Sequence, residues 1–204
     1  EEFHYSALPQ FLSPGLRLFY VPNNPRLPEQ LRRKPRHADI SVKALVENSQ
    51  LTWGAIKNRS YGETLDAIRL SMEEKGRVAY PVLNQSWPHL IELLKQKRFD
   101  LMFEYADIID DFESIFSSEN IVSRSRILES LNPWILESAQ FILGHVVCSN
   151  TSYGKEIISE INQAIAAAVR TREYFLLMLA LVNDEEKQDF VAFYNATYGT
   201  KFGL

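Results

Sequence analysis

The chain is poor in cysteine, in long apolar runs and in concentrated positive charge, and each shortage removes a class of function. Cys148 is the single cysteine among 204 residues, so no disulfide can form within the chain, and neither a Cys-x-x-Cys redox motif nor a cysteine zinc site can be assembled. No apolar stretch reaches the ~18 residues that would suggest a bilayer-spanning helix. A net charge of −4 argues against a nucleic-acid surface, where a clustered basic face is expected. The one basic run, Arg32-Arg33-Lys34-Pro35-Arg36, reads as a solvated, proline-bearing loop. Glycine-rich phosphate loops and His/Glu zinc motifs are missing as well, so no metal and no cofactor is expected. The four histidines, His4, His37, His89 and His145, are scattered, with His145 read as a satisfied core histidine in a strand and Cys148 as a small hydrophobe. The opening Glu1-Glu2-Phe3-His4 is not a signal peptide, so a targeting segment is expected to have been removed or never to have existed.

What is present is an ordinary soluble mixture, 46% hydrophobic and 24% charged, enough to bury a core. Residues 51 to 105 organise it, reading as strand, helix, strand, helix, strand with a polar loop at each strand-to-helix turn. In Arg59-Ser60-Tyr61-Gly62-Glu63, Ser60 and Glu63 have the spacing of a capping box, which marks a helix start. The helix over 63–75 places Leu65, Ile68 and Met72 on one side and Asp66, Arg69 and Glu73 elsewhere. Its N-terminus carries unsatisfied N–H groups that can receive an anionic ligand group, or it is a capped helix with no ligand; the spacing leaves both open.

A second strand is expected over 77–83, then a helix capped by Ser86 with Pro88 in its first turn, where the missing N–H costs nothing. Residues 99–105 form a near-continuous apolar run, broken by Asp100 and closed by Glu104-Tyr105, as in a strand buried on both faces of a parallel sheet. Ligands of such sheets lie off the carboxyl ends of the strands, so the candidate lining is 57–62, 84–87 and 104–105. Glu104 would either hold a cationic or hydroxyl-bearing ligand or pair with Arg59 or a backbone amide.

Elsewhere a strand is expected over 15–21, a loop and best linker candidate over 22–39 with a helical turn at 29–33, and a short helix over 40–48. The acidic segment with Asp110, Asp111 and Glu113 reads as a solvated helix face and not a cation site, ahead of a strand-like 121–125. A strand over 141–148 precedes a helix over 152–169 striped by Ile157, Ile161, Ile165 and Val169. Helices over 172–182 and 185–198 follow, the last capped by Asp184 and stopped by Gly199.

In this order the chain resembles the second lobe and closing segment of a type 2 periplasmic solute-binding protein, of the polar amino-acid-receptor-like family. Tyr5-Ser6-Ala7-Leu8-Pro9 is similar to the crossover that ends the first part of lobe one; Ile40-Ser41-Val42-Lys43-Ala44-Leu45 with residues 51–62, residues 93–105, and Ser149-Asn150-Thr151-Ser152-Tyr153-Gly154-Lys155-Glu156 with Ile161-Asn162 match further segments. The resemblance implies an α/β fold with a parallel-rich sheet, flanking helices and C-terminal helices packing back on lobe one. It divides the chain into 1–39 (crossover strand and linker of lobe one), 40–148 (second lobe) and 149–204 (closing helices). Arg59, Ser60, Tyr61 and Gly62 would then meet an anionic ligand group, and Glu104 or Tyr105 the ligand's other end. Two departures follow: Tyr105 stands where amino-acid receptors usually carry an aspartate, and the front of lobe one, with its carboxylate-binding arginine, is expected to be missing.

The implied function is that of an exported, non-enzymatic binding protein in the periplasm or outside the cell. It would bind a small polar or anionic molecule between two lobes and pass it to a membrane transporter or signalling receptor. An enzyme on the same scaffold, dehydratase- or lytic-transglycosylase-like with Glu104 as general acid, is the alternative; a third reading is the effector-binding domain of a cytoplasmic regulator.

Overall fold

The computed structural model of the chain describes residues 3–21, 23–32, 40–81, 87–105, 129–130, 135–182 and 184–204. Its contacts divide it into two compact units, Glu1–Pro14 with Phe141–Leu204, and Gly15–Gln140.

The larger unit is built around a sheet whose central strands are buried on both faces. Trp53–Gly54 (β4) and Val78–Ala79 (β5) pair in parallel. Trp53 also makes a parallel bridge to Leu101, which leads into Met102–Glu104 (β6). Arg17–Tyr20 (β3) runs antiparallel to β6, and Glu129–Ser130 (β7) antiparallel to β3. The order is therefore β5-β4-β6-β3-β7: parallel where helices supply the crossovers, antiparallel at β3, the mixed pattern common in α/β sheets.

Alternate residues of these strands enter two different cores. Leu18, Tyr20, Trp53, Leu101 and Phe103 pack with Val42, Leu45, Leu65 and Met72, from the helices Val42–Glu47 (α2) and Glu63–Glu74 (α3). Phe19, Val21, Phe99 and Met102 pack with Leu90, Ile91 and Leu94 of the helix Trp87–Lys95 (α4). With helices on both faces, no polar face survives, and this is why 99–105 reads as a continuous apolar run.

Residues 23–32 are no linker. Leu27 and Leu31 are fully buried, the latter in the short helix Glu29–Arg32 (α1), and the Tyr20 hydroxyl donates to the Leu31 carbonyl at 3.0 Å. Asn24 donates through Nδ2 to Asp100 Oδ1 at 2.6 Å, and Arg26 Nε lies 2.8 Å from the same oxygen. Thr52 adds its N–H at 2.9 Å and its hydroxyl at 2.8 Å, both to Asp100 Oδ2. The fully buried Asp100 thus ties the segment after β3 to the start of β4. α2 is held in a similar way: Ser41 accepts from the Ala44 N–H, while Glu137 accepts from Val42 N at 2.8 Å and Lys43 N at 3.1 Å.

The smaller unit has two antiparallel ribbons, Phe3–Tyr5 (β1) with Val147–Ser149 (β9) and Phe11–Pro14 (β2) with Phe141–Gly144 (β8). Among the described residues three α-helices complete it: Ser152–Ala168 (α5), Arg172–Leu179 (α6) and Lys187–Tyr198 (α7). Its core joins Leu12 and Phe141 to Ile165, Val169, Phe175, Phe190 and Tyr194. Thr151 and Thr171 cap α5 and α6 through their hydroxyls, and Gly199, at φ 65°, ends α7 in the left-handed conformation expected of it. Asp184 instead sits in a 3₁₀ turn before α7, where it pairs with Lys187 at 2.5 Å. His145 is exposed in the break between β8 and β9, its Nδ1 2.9 Å from the Ser6 carbonyl oxygen, and is not the core histidine expected.

The two units divide at 14/15 and 140/141, β3 being hydrogen-bonded into the larger and β8 into the smaller. Asp110, Asp111, Glu113, residues 121–125, Ser86, His37 and the basic run from Arg33 to Arg36 lie outside the described residues. Among the described residues no helix is long and apolar enough to cross a membrane.

Candidate functional site

The turn between β4 and α3 and the end of β6 meet in the larger unit. The chain leaves β4 through Asn58, at φ 63°, a left-handed conformation that asparagine tolerates better than most residues. It turns again at Gly62, φ 93°, which is the N-cap of α3 and where glycine alone adopts the backbone without strain. Between these two reversals Arg59 is aimed at the carboxyl end of β6.

Arg59 and Glu104 form a two-pronged ion pair, Nη1 to Oε2 at 2.5 Å and Nη2 to Oε1 at 2.6 Å. The Glu104 side chain is 1% exposed and that of Arg59 23%. Glu104 Oε1 also accepts the Tyr105 N–H at 3.0 Å. The guanidinium carbon lies 5.1 Å from the centre of the Tyr61 ring and 5.7 Å from that of Tyr105, within cation–π range of both. Donating to the Glu104 carboxylate holds the guanidinium above its ordinary pKa despite desolvation. Arg17, the register partner of Glu104 across β3 and β6, is buried and has interactions of its own.

Tyr61 is anchored from below. Its ring is buried against Trp53, edge-on at 5.2 Å, and its hydroxyl accepts the Ile56 N–H at 2.9 Å. Burial pushes its phenol up, while the Ile56 N–H pulls the other way. Ser60 is exposed and does not form the expected capping box with Glu63. Its hydroxyl donates to Asp66 Oδ2 at 2.6 Å and accepts from the Gly62 N–H at 3.2 Å, because the reversal at Gly62 sets Ser60 two residues ahead of the N-cap. Asp66 also accepts the Tyr61 N–H at 3.1 Å and lies 3.5 Å from Arg69 Nε. Burial raises the Asp66 carboxyl, but the donors Ser60, Tyr61 N–H and Arg69 outweigh it and hold the group below its ordinary value.

Of the six candidate residues, the structure therefore brings Arg59, Tyr61, Glu104 and Tyr105 into contact, and places Ser60 and Gly62 one turn away at the start of α3. The third expected lining turn, 84–87, lies outside the described residues apart from its last position. Asp66 was missed as a site residue. The signal for it was its place in the first turn of α3, within reach of a serine hydroxyl that precedes the cap. Among the described residues no group of histidine, cysteine, aspartate or glutamate could hold a metal ion. Glu104 has donors on both oxygens and almost no exposure.

No family model matches the sequence, and no curated protein matches it. Solved structures do, and the fold they share with this chain is that of the extracellular solute-binding proteins of amino-acid ABC transporters. One is the probable amino-acid ABC transporter extracellular-binding protein ytmK of Bacillus subtilis, at 15% identity and TM-score 0.53 over 90% of this chain and 66% of that one. Another is the arginine-, lysine-, histidine-binding protein ArtJ of Geobacillus stearothermophilus, at 10% identity and TM-score 0.52 over 100% and 65%. A third is the substrate-binding protein AbpA of Streptococcus pneumoniae, determined with L-arginine bound, at 15% identity and TM-score 0.54 over 88% and 61%. The chain thus spans slightly less than two thirds of the length of each.

Proposed function

We propose that the chain is a solute-binding protein that takes up a small polar or anionic molecule at the turn over 57–62 and the strand end at 104–105. One observation carries the reading: on a fold shared with amino-acid-binding proteins, two segments far apart in sequence bring Arg59, Glu104, Tyr61 and Tyr105 together at the carboxyl ends of neighbouring strands. That is where open α/β sheets hold their ligands. In this reading the protein is not an enzyme and works outside the cytoplasm, in the periplasm or on the cell exterior, where it hands its solute to a membrane transporter or receptor. The fold neighbours, binding proteins of ABC transporters, support this. The segment over 1–14 and the helices after 149 would belong to the first lobe, as the closing segments of such a protein.

A ligand that binds only the folded state raises its unfolding midpoint by mass action, by about 2.7 kcal/mol of stability at a hundredfold excess over Kd. Thermal unfolding against a panel of amino acids, small dicarboxylates, phosphate and polyamines should give a rise with one chemical class, lost when Arg59 and Glu104 are replaced together. A well-folded sample with no rise for any of them contradicts the reading.

A further inference from the structure

Resting on that reading, the inventory of donors and acceptors around Arg59 narrows the ligand. Among the described residues, the two carboxylates bonded to the turn and its arginine, Glu104 and Asp66, are already occupied. Glu104 receives two N–H groups of Arg59 and that of Tyr105, at 1% side-chain exposure. Asp66 receives the Ser60 hydroxyl, the Tyr61 N–H and the charge of Arg69. The Tyr61 hydroxyl oxygen is used by the Ile56 N–H, and the Ser60 oxygen by the Gly62 N–H. Donors are the opposite case. A guanidinium carries five N–H groups; two go to Glu104, and among the described residues no acceptor meets the other three, on a side chain still 23% exposed.

A cationic solute needs a carboxylate to receive its ammonium or guanidinium, because a charge leaving water must be paired. Here that carboxylate is spent on a residue of the protein itself. An oxyanion meets the reverse situation: a planar guanidinium, fixed on one edge, with N–H groups left on the other and matched to two oxygens at once. The rings of Tyr61 and Tyr105 flank it and lower the local exposure to water.

We propose that the site takes its ligand through an oxyanion, a carboxylate or phosphate, seated on the outward N–H groups of Arg59, and that Glu104 is a positioning residue that holds this guanidinium without touching the ligand. The ligand class is then opposite in charge to the side chain of the L-arginine found in the AbpA structure.

Isothermal titration calorimetry with succinate, inorganic phosphate, agmatine and cadaverine, the last two being cations without a carboxylate, tests this. The wild-type protein should bind succinate or phosphate, the two arms telling carboxylate from phosphate, and neither agmatine nor cadaverine. Glu104→Gln keeps an acceptor oxygen for Arg59 and removes the negative charge, so oxyanion affinity is held or strengthened. Glu104→Ala leaves the guanidinium unheld and weakens it about tenfold, within the worth of one charged hydrogen bond. The pair Arg59→Gln with Glu104→Gln puts two amides in place of the ion pair, leaves no buried charge, and should abolish oxyanion binding while circular dichroism reports an unchanged fold. Agmatine or cadaverine binding that Glu104→Gln weakens would overturn the inference and leave the solute-binding reading standing. Oxyanion binding that survives in the double variant would also overturn it. If none of the four compounds binds the folded protein, the inference falls, while the reading on which it rests falls only if the wider thermal-unfolding panel also gives no rise.

Discussion

Replacing Arg59 by methionine removes the charge opposite Glu104 and leaves a carboxylate at 1% exposure that keeps, among the described residues, the Tyr105 N–H alone. Breaking a buried pair from one side costs about 3–5 kcal/mol. Arg59 is 23% exposed, so water can reach part of the vacated space, and the expected loss is about 2–4 kcal/mol. The converse change, Glu104→Met, strands a guanidinium that can swing toward water, and should cost about 1–2 kcal/mol. Both changes together put two flexible apolar side chains where the pair was, and should recover all but about 1 kcal/mol of the wild-type stability. The coupling energy of the cycle is then at least about 2 kcal/mol. Urea unfolding followed by far-ultraviolet circular dichroism measures all four proteins, with a midpoint shift on heating of about 3–5 °C per kcal/mol for a unit of this size. If the two single losses add to within about 0.5 kcal/mol of the double loss, the pair is not an energetic unit and the reasoning fails.

Asp66→Asn removes the group that bonds Ser60 and the Tyr61 N–H, and should cost about 1 kcal/mol, the size of a lost helix cap. The folded carboxyl lies below its ordinary value, so its contribution is fully present above the unfolded pKa of about 3.9 and is lost as pH falls through the folded value. Stability curves of wild type and variant should therefore differ at pH 7 and converge below about pH 4; a difference that is constant with pH contradicts this. Asp100→Ala leaves Asn24, Arg26 and Thr52 without their shared acceptor, and should destabilise by about 3–5 kcal/mol in urea unfolding. Gly62→Ala meets nothing within 4 Å, yet must adopt φ 93°; the loss should be about 1–2 kcal/mol and vanish when D-alanine is installed by semisynthesis. Gly15→Ala would put a Cβ 1.8 Å from the Ala139 carbonyl oxygen, so it should cost more than Gly62→Ala, and a smaller loss would refute that close approach.

Where local spacing and packing agreed, the sequence could be read directly. α3 runs from Glu63 to Glu74 with Leu65, Ile68 and Met72 buried, because three apolar side chains at helical spacing have only one way to reach a core. The doubly buried β6 was legible for the same reason. The capping of α3 was not, since a serine and a glutamate at the right spacing cannot announce a positive φ between them; Gly62 moved the cap and Asp66 took over the serine. The stripe on α5 is right at Ile161, Ile165 and Val169, which enter the core, and misses only at its start, where Ile158 is buried in place of Ile157. The buried segment over 23–32 was hidden by its prolines and charges. Its place in the core depends on Asp100, some seventy residues away, and no local pattern encodes that contact. Likewise Glu104 was recognised as poised at a strand end, but only the fold decides that its partner is Arg59.

The most direct measurement is an amide and guanidinium chemical-shift titration of the labelled protein with succinate and then phosphate. The central claim predicts saturable shifts at the Arg59 Nε–H and at the Tyr61, Gly62 and Tyr105 amides, with a single Kd for all of them and no comparable change in α5, α6 or α7. Shifts confined to the smaller unit, or none at concentrations up to tens of Kd of the tightest ligand found by calorimetry, would contradict it.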